Sequence, residues 1–185
     1  MQDVYSILIE LSPVVKRQLV HDLCYGLPAV EWEDEENLNI CLHHFEKINT
    51  PLLIDLQESL NTVSISSFQT SIKNVQHIHS RSGHGTLYLS IEPEQPLLKL
   101  KKEIDKSLKG LNIPLQGKFK PQIILGKYDQ LNPNRLKEYL DYHSLYHLSI
   151  NLEITHFTLA SLHVTPKRVI YQKIKEYALT SKLEF

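Results

Sequence analysis

The chain has 185 residues, 42% of them hydrophobic, enough to bury a core within one domain spanning residues 1–185, and no stretch has the polar bias of an unfolded tail. Its 20 basic and 21 acidic residues nearly cancel to a net charge of −1, and only Arg17, Arg81, Arg135 and Arg168 offer a bidentate fork, which argues against a surface built for polyanions. Cys24 and Cys41 are too few for a disulfide framework and lack metal-ligand spacing, and the opening MQDVYSILIEL has neither a basic leader nor the length of a membrane span, so a soluble cytoplasmic protein is expected.

In chain order, VYSILIEL (4–11) is rich in β-branched and aliphatic residues and reads as a strand. Ser12 and Pro13 then supply an N-cap and a first-turn proline for a helix over 13–25, with Val15, Leu19 and Leu23 on one face and Gly26 as its stop. PAVEWEDEEN (28–37) reads as a loop leading into the strand LNICLHHF (38–45). Thr50 and Pro51 cap and begin a second helix that ends near Asn61. Two strand-like runs, 63–78 and 85–93, form a hairpin around the polar loop HSRSGHG. A third, amphipathic helix over 94–111 turns Leu97, Leu100, Ile104 and Leu108 inward and a lysine-rich face outward. The strand PQIILGKY (121–128), a helix from about Pro133 and a closing strand pair, 148–164 and 168–179, around the turn TPK complete the order.

The pattern β-α-β-α-β-β-α-β-α-β-β, with a second half loosely repeating the first, predicts an α+β fold: two pseudo-symmetric lobes of mostly antiparallel sheet with flanking helices around a central cleft. The strands LNICLHHF and PQIILGKY rhyme. Each has an amide side chain, an apolar residue, a variable position and then leucine, as expected if each lobe contributes one such strand to the cleft.

On VYSILIELSPVVKRQL, VEWEDEENLNICLHHFEKI, GKFKPQIILGK and the closing strand pair, the chain resembles the RNA 2′,3′-cyclic phosphodiesterase / 2′-5′ RNA ligase family of the 2H phosphoesterase superfamily. Members of that family carry a His-x-Thr or His-x-Ser motif in each of two cleft strands, after ENL and after FxP. Both landmarks are present, as Glu36-Asn37-Leu38 and Phe119-Lys120-Pro121, but the motif positions read Asn39-Ile40-Cys41 and Gln122-Ile123-Ile124. In the family one histidine is pictured taking a proton from the attacking hydroxyl and the other giving one to the departing sugar oxygen, while the hydroxyl residues hold the phosphate. Imidazole titrates near neutral pH and a carboxamide does not, so Asn39 and Gln122 can grip an anion but cannot relay a proton.

Strand alternation puts Asn39, Cys41 and His43 on one face, so His43 is the titratable stand-in on that strand, although about 13 Å along it from Asn39. The candidate ligand-binding positions are therefore Asn39, Cys41, His43, Gln122 and Ile124, with no catalytic residue, cofactor or metal site expected. The resemblance implies a catalytically impaired relative that binds a nucleotide, an RNA end or a protein partner. The rivals are an active phosphodiesterase using substitute residues and an interaction module with an empty cleft.

Other features read more plainly. His77, His79 and His84 match no zinc spacing and suit a solvated hairpin loop; the resemblance implies that this hairpin borders the cleft, which would bring them and Arg81 within reach of the backbone of a bound RNA or nucleotide. The five carboxylates from Glu31 to Glu36 repel a polyanion from that side, and Trp32 suits core packing. Odd spacing from Gln122 puts Lys127 on the far strand face, whereas Lys118 and Lys120 precede the second motif position. Tyr139, Tyr142, His143, Tyr146 and His147 form an aromatic and histidine cluster that offers a contact surface.

Overall fold

The computed structural model describes residues 4–45, 48–111, 113–114, 117–145, 148–164 and 169–181. The chain builds two antiparallel sheets. One has the order β3-β1-β8-β9, from Asn39–Phe45, Val4–Glu10, His156–Val164 and Val169–Ala178. The other has the order β2-β6-β5-β4-β7, from Val30–Trp32, Gln122–Asp129, His84–Glu92, Phe68–His79 and Ile150–Ile154. Four helices flank them: α1 (Pro13–Leu23), α2 (Thr50–Leu60), α3 (Gln95–Ser107) and α4 (Pro133–Leu145). The fold class is the one the element order implies.

Its connectivity differs in one respect from a simple repeat. The first sheet takes β1 and β3 from one end of the chain and β8 and β9 from the other, so the two sheets do not correspond to two halves of the sequence. The run 148–164, expected as one strand, is two. Ile150, Leu152 and Ile154 turn inward in β7, and Thr155 then breaks the alternation so that the next inward residues are Phe157 and Leu159. A strand whose apolar phase slips by one residue cannot continue in the same sheet without exposing its buried face, and here it crosses to the other sheet. The turn TPK lies outside the described residues.

The cap of α1 is the expected Ser12, whose Oγ accepts from the Val15 amide at 3.3 Å. The cap of α2 is one residue earlier than expected: Asn49 Oδ1 accepts from the Leu52 amide at 2.9 Å, and Thr50 is already helical. Within 28–37, expected as a loop, β2 pairs with β6 and a single 3-10 turn follows over Glu35–Asn37. Gly126 makes that pairing possible, because a Cβ there would stand 2.7 Å from the Glu31 carbonyl oxygen and from Val30 Cγ1. Trp32, in β2, is half-buried against the core with its ring 6.1 Å from that of Tyr139, a packing role as expected.

Helix α3 presents Leu97, Leu100, Ile104 and Leu108 to the core as its periodicity requires. Its lysines are not all outside. Lys99, Lys102 and Lys106 are exposed, but Lys101 is 4% exposed, its Nζ bonded to Asp105 and 3.4 Å from His43 Nδ1. No helix among the described residues is long and apolar enough to cross a membrane.

Candidate functional site

The rhyme between the two motif strands extends to their backbone. In β3, Ile7 of β1 pairs with His43 and Leu8 with Cys41, so Leu42 is an extra, unpaired residue. In β6, Leu87 of β5 pairs with Gly126 and Tyr88 with Ile124, so Leu125 is the extra residue. Each strand therefore bulges at the leucine that closes its four-residue pattern, and both leucines are fully buried.

A bulge adds one residue to the alternation and reverses which side chains face which way. Asn39 and Cys41 share their face with His44, and Gln122 and Ile124 share theirs with Lys127. This corrects two expectations. His43 is turned to the opposite face of β3 and is fully buried, its ring stacked on Phe45 at 4.3 Å and its Nδ1 3.6 Å from Asp105 Oδ1. Lys127 is exposed on the same side as Gln122 rather than on the far side. His44, which simple alternation put on the far side, lies beside β1 with its Nδ1 3.0 Å from Ser6 Oγ.

The remaining motif positions converge. Asn39 and Cys41 from one sheet and Gln122 and Ile124 from the other line a single cavity of about 370 Å³ between the lobes, at the lower end of the range of about 300 to 1,000 Å³ for small-molecule sites. Its cationic wall is Lys118 and Lys120, from the segment leading into β6. Lys120 Nζ donates to Tyr88 Oη at 2.8 Å and lies 4.7 Å from that ring's centre, which holds the ammonium in place. Glu33 and Asn37 also line it, Glu33 from the β2 side of β6, the edge away from β5 where Lys120 meets Tyr88, and Phe119 and Tyr171 contribute rings.

Asn39 does more than occupy a motif position. Its Nδ2 donates to the Glu36 carbonyl at 3.0 Å and its Oδ1 accepts from the Leu11 amide at 3.4 Å, so the side chain splices the end of β1 to the 3-10 turn and keeps one N–H for the cavity. Gln122 Oε1 and Asn37 Oδ1 are buried and accept no hydrogen bond among the described residues. Cys41 is exposed to the cavity, yet desolvation by the surrounding walls holds its thiol above the usual range, so it is a weak donor rather than a thiolate nucleophile. Tyr171 is pushed up to about 12, first by burial and then by Cys41 and Glu33, so its hydroxyl stays protonated and able to donate.

His43 ionises against its surroundings. Burial, and then the neighbouring Lys101, hold it below the ordinary histidine range despite Asp105. Its folded pKa is depressed, so the unfolded chain takes up the proton first, and stability falls as pH drops below about 6.5. His143 is shifted the same way by burial. Urea midpoints at pH 7.5 and 5.5 should therefore separate more for the natural protein than for His43→Phe; an unchanged separation would remove His43 from the acid response.

The other sequence candidates lie elsewhere. His77 and His79 stack in parallel at 5.4 Å, and His84 pairs with Asp129; among the described residues no three His, Cys, Asp or Glu side chains gather to hold a metal ion. Tyr139 and His143 are buried at 4.3 Å from one another, with Tyr142 against His143 at 5.1 Å, while Tyr146 and His147 lie outside the described residues. Spacing alone missed His44 and Lys127, because nothing in an alternating pattern announces a bulge, and it missed Tyr171, which reaches the cavity from the far edge of the first sheet.

No protein-family model matches the chain. It is 23% identical over 172 residues, 93% of each chain, to the RNA 2′,3′-cyclic phosphodiesterase of Archaeoglobus fulgidus. Among solved structures, Escherichia coli LigT complexed with 3′-AMP superposes with a TM-score of 0.76 at 17% identity, covering 97% of this chain and 99% of that one. TT0787 of Thermus thermophilus superposes with a TM-score of 0.73 at 14% identity, covering 98% of this chain and all of that one. These superpositions show that the chain has the fold of LigT and TT0787. The near full-length sequence match makes the chain similar, from end to end, to an RNA 2′,3′-cyclic phosphodiesterase.

Proposed function

We propose that this protein binds a nucleotide, or the phosphate-bearing end of an RNA, in the interlobe cavity and does not turn it over by the imidazole acid-base chemistry of the family it resembles. One observation carries the reading: the four motif positions meet in one cavity walled by Lys118 and Lys120, and none of the described residues lining it is a histidine. Two ammonium groups, the Tyr171 hydroxyl and the free N–H of Asn39 supply donors for phosphate oxygens. Neither amide can both take and return a proton at neutral pH. The solved LigT complexes with 3′-AMP, with phosphate and with ATP support a nucleotide as ligand.

Titration calorimetry with 3′-AMP and with inorganic phosphate tests the binding half. Saturable binding is expected, and Lys118→Ala and Lys120→Ala should each weaken it about 10-fold, the effect of losing one charge-assisted hydrogen bond. No binding of either probe at millimolar concentration would defeat the proposal.

A second reading, slow hydrolysis by substitute residues, has one observation in its favour: the hydrogen-bonded Ser6–His44 pair on the cavity side of β3. It requires that any 2′,3′-cyclic phosphodiesterase activity of the natural protein disappear in His44→Gln. Activity that survives that change excludes His44 as the stand-in.

A further inference from the structure

The cavity is polarised, and its two walls ask for different things of one ligand. Lys118 and Lys120 present only donors. On the β2 side of β6, away from the β5 side where Lys120 is bonded to Tyr88, the lining presents acceptors. Glu33 contributes a carboxylate, one oxygen of which accepts from Asn37 Nδ2 at 3.4 Å while the other accepts nothing among the described residues. Beside it, Asn37 Oδ1 is a buried acceptor without a donor among the described residues.

Glu33 is also held in place. Its backbone amide donates to the carbonyl of Leu125, the bulge residue of β6, at 2.8 Å, which fixes its main chain relative to the second motif strand, and Asn37 Nδ2 donates to its carboxylate. Glu33 is half-buried and lines the cavity together with Tyr171.

An acceptor wall of this kind penalises a ligand that meets it with oxygens and favours one that meets it with adjacent N–H groups. Among the common nucleobases guanine alone carries two neighbouring donors, N1–H and N2–H, on its pairing edge; hypoxanthine keeps one, and uracil flanks a single N–H with two carbonyl oxygens. From this geometry we infer that the cavity selects a guanine nucleotide, its phosphate toward Lys118 and Lys120 and its pairing edge on Glu33. The inference rests on the nucleotide-binding reading above and adds the base that Glu33 reads.

The test compares 3′-GMP, 3′-IMP and 3′-UMP with inorganic phosphate by titration calorimetry on the full chain. The expected order is 3′-GMP tightest, 3′-IMP next and 3′-UMP weakest, with at least about 10-fold between first and last, in line with a bidentate base contact. Glu33→Gln, which turns one acceptor into a donor and removes a negative charge, should bring 3′-GMP within about 3-fold of 3′-UMP without weakening the binding of phosphate. The comparison among the three nucleotides needs no variant and stands even if that one folds poorly. Equal binding of all three would overturn the guanine assignment and leave the nucleotide reading intact. Binding of neither nucleotides nor phosphate would overturn both.

Discussion

Hydrolysis of a 2′,3′-cyclic nucleotide is expected to rise at least about 100-fold, and by up to about 10,000-fold, when Asn39→His, Cys41→Thr, Gln122→His and Ile124→Thr are combined. The four side chains already face one cavity from two strands with the same bulge, so the substitutions restore one imidazole and one hydroxyl on each side without asking the backbone to move. One histidine must accept a proton while the other donates, so Gln122→His alone should recover far less than the full set. The gain has a cost in stability, because Asn39 splices Leu11 to Glu36, and losing that pair of hydrogen bonds is worth about 1 to 2 kcal/mol. Natural protein turning over within about 3-fold of the fourfold variant would mean that other groups already do the proton transfer.

The second large effect concerns the cluster behind β3. Lys101 is 5% exposed in its side chain and is neutralised by Asp105, itself 28% exposed, with His43 alongside. Removing one partner of a buried pair leaves an uncompensated charge and typically costs about 3 to 5 kcal/mol; the partial exposure of Asp105 puts Asp105→Ala near the lower figure. For a chain of this size that lowers Tm by about 6 to 12 °C. Lys101→Met removes the charge itself and keeps the buried stem, so thermal unfolding should show a much smaller loss. Equal losses for the two variants would mean that the ion pair is not what Asp105 supplies.

These predictions also show what the sequence could and could not convey. The element order and apolar periods were enough for two antiparallel sheets with flanking helices, since Leu97, Leu100, Ile104 and Leu108 or the alternation of Ile150, Leu152 and Ile154 are local signals of burial. Of the rhyming stretches Asn39-Ile40-Cys41-Leu42 and Gln122-Ile123-Ile124-Leu125, Asn39, Cys41, Gln122 and Ile124 line one cavity. Side-chain direction beyond those four residues was not legible. A bulge is a property of two paired strands, and neither Leu42 nor Leu125 differs from an ordinary strand leucine, so alternation placed His43 in the cleft and Lys127 outside it, and both came out reversed. The burial of Lys101 was equally hidden, because its counter-charge sits one turn along the helix but its second neighbour, His43, is 58 positions away. Glu33 and Asn37, expected as part of a solvated acidic loop, line the cavity because β2 pairs with β6 and draws that loop over it.

The separation of binding from turnover is the claim on which the rest depends, and phosphorus NMR of a 2′,3′-cyclic nucleotide with the natural protein in excess reads both at once. The cyclic-phosphate resonance should shift or broaden saturably as protein is added and then persist, with no monoester resonance growing in beyond that of a protein-free sample. A monoester resonance that grows in proportion to the protein, in a preparation where His44→Gln or loss of the lysines abolishes it, would contradict the account.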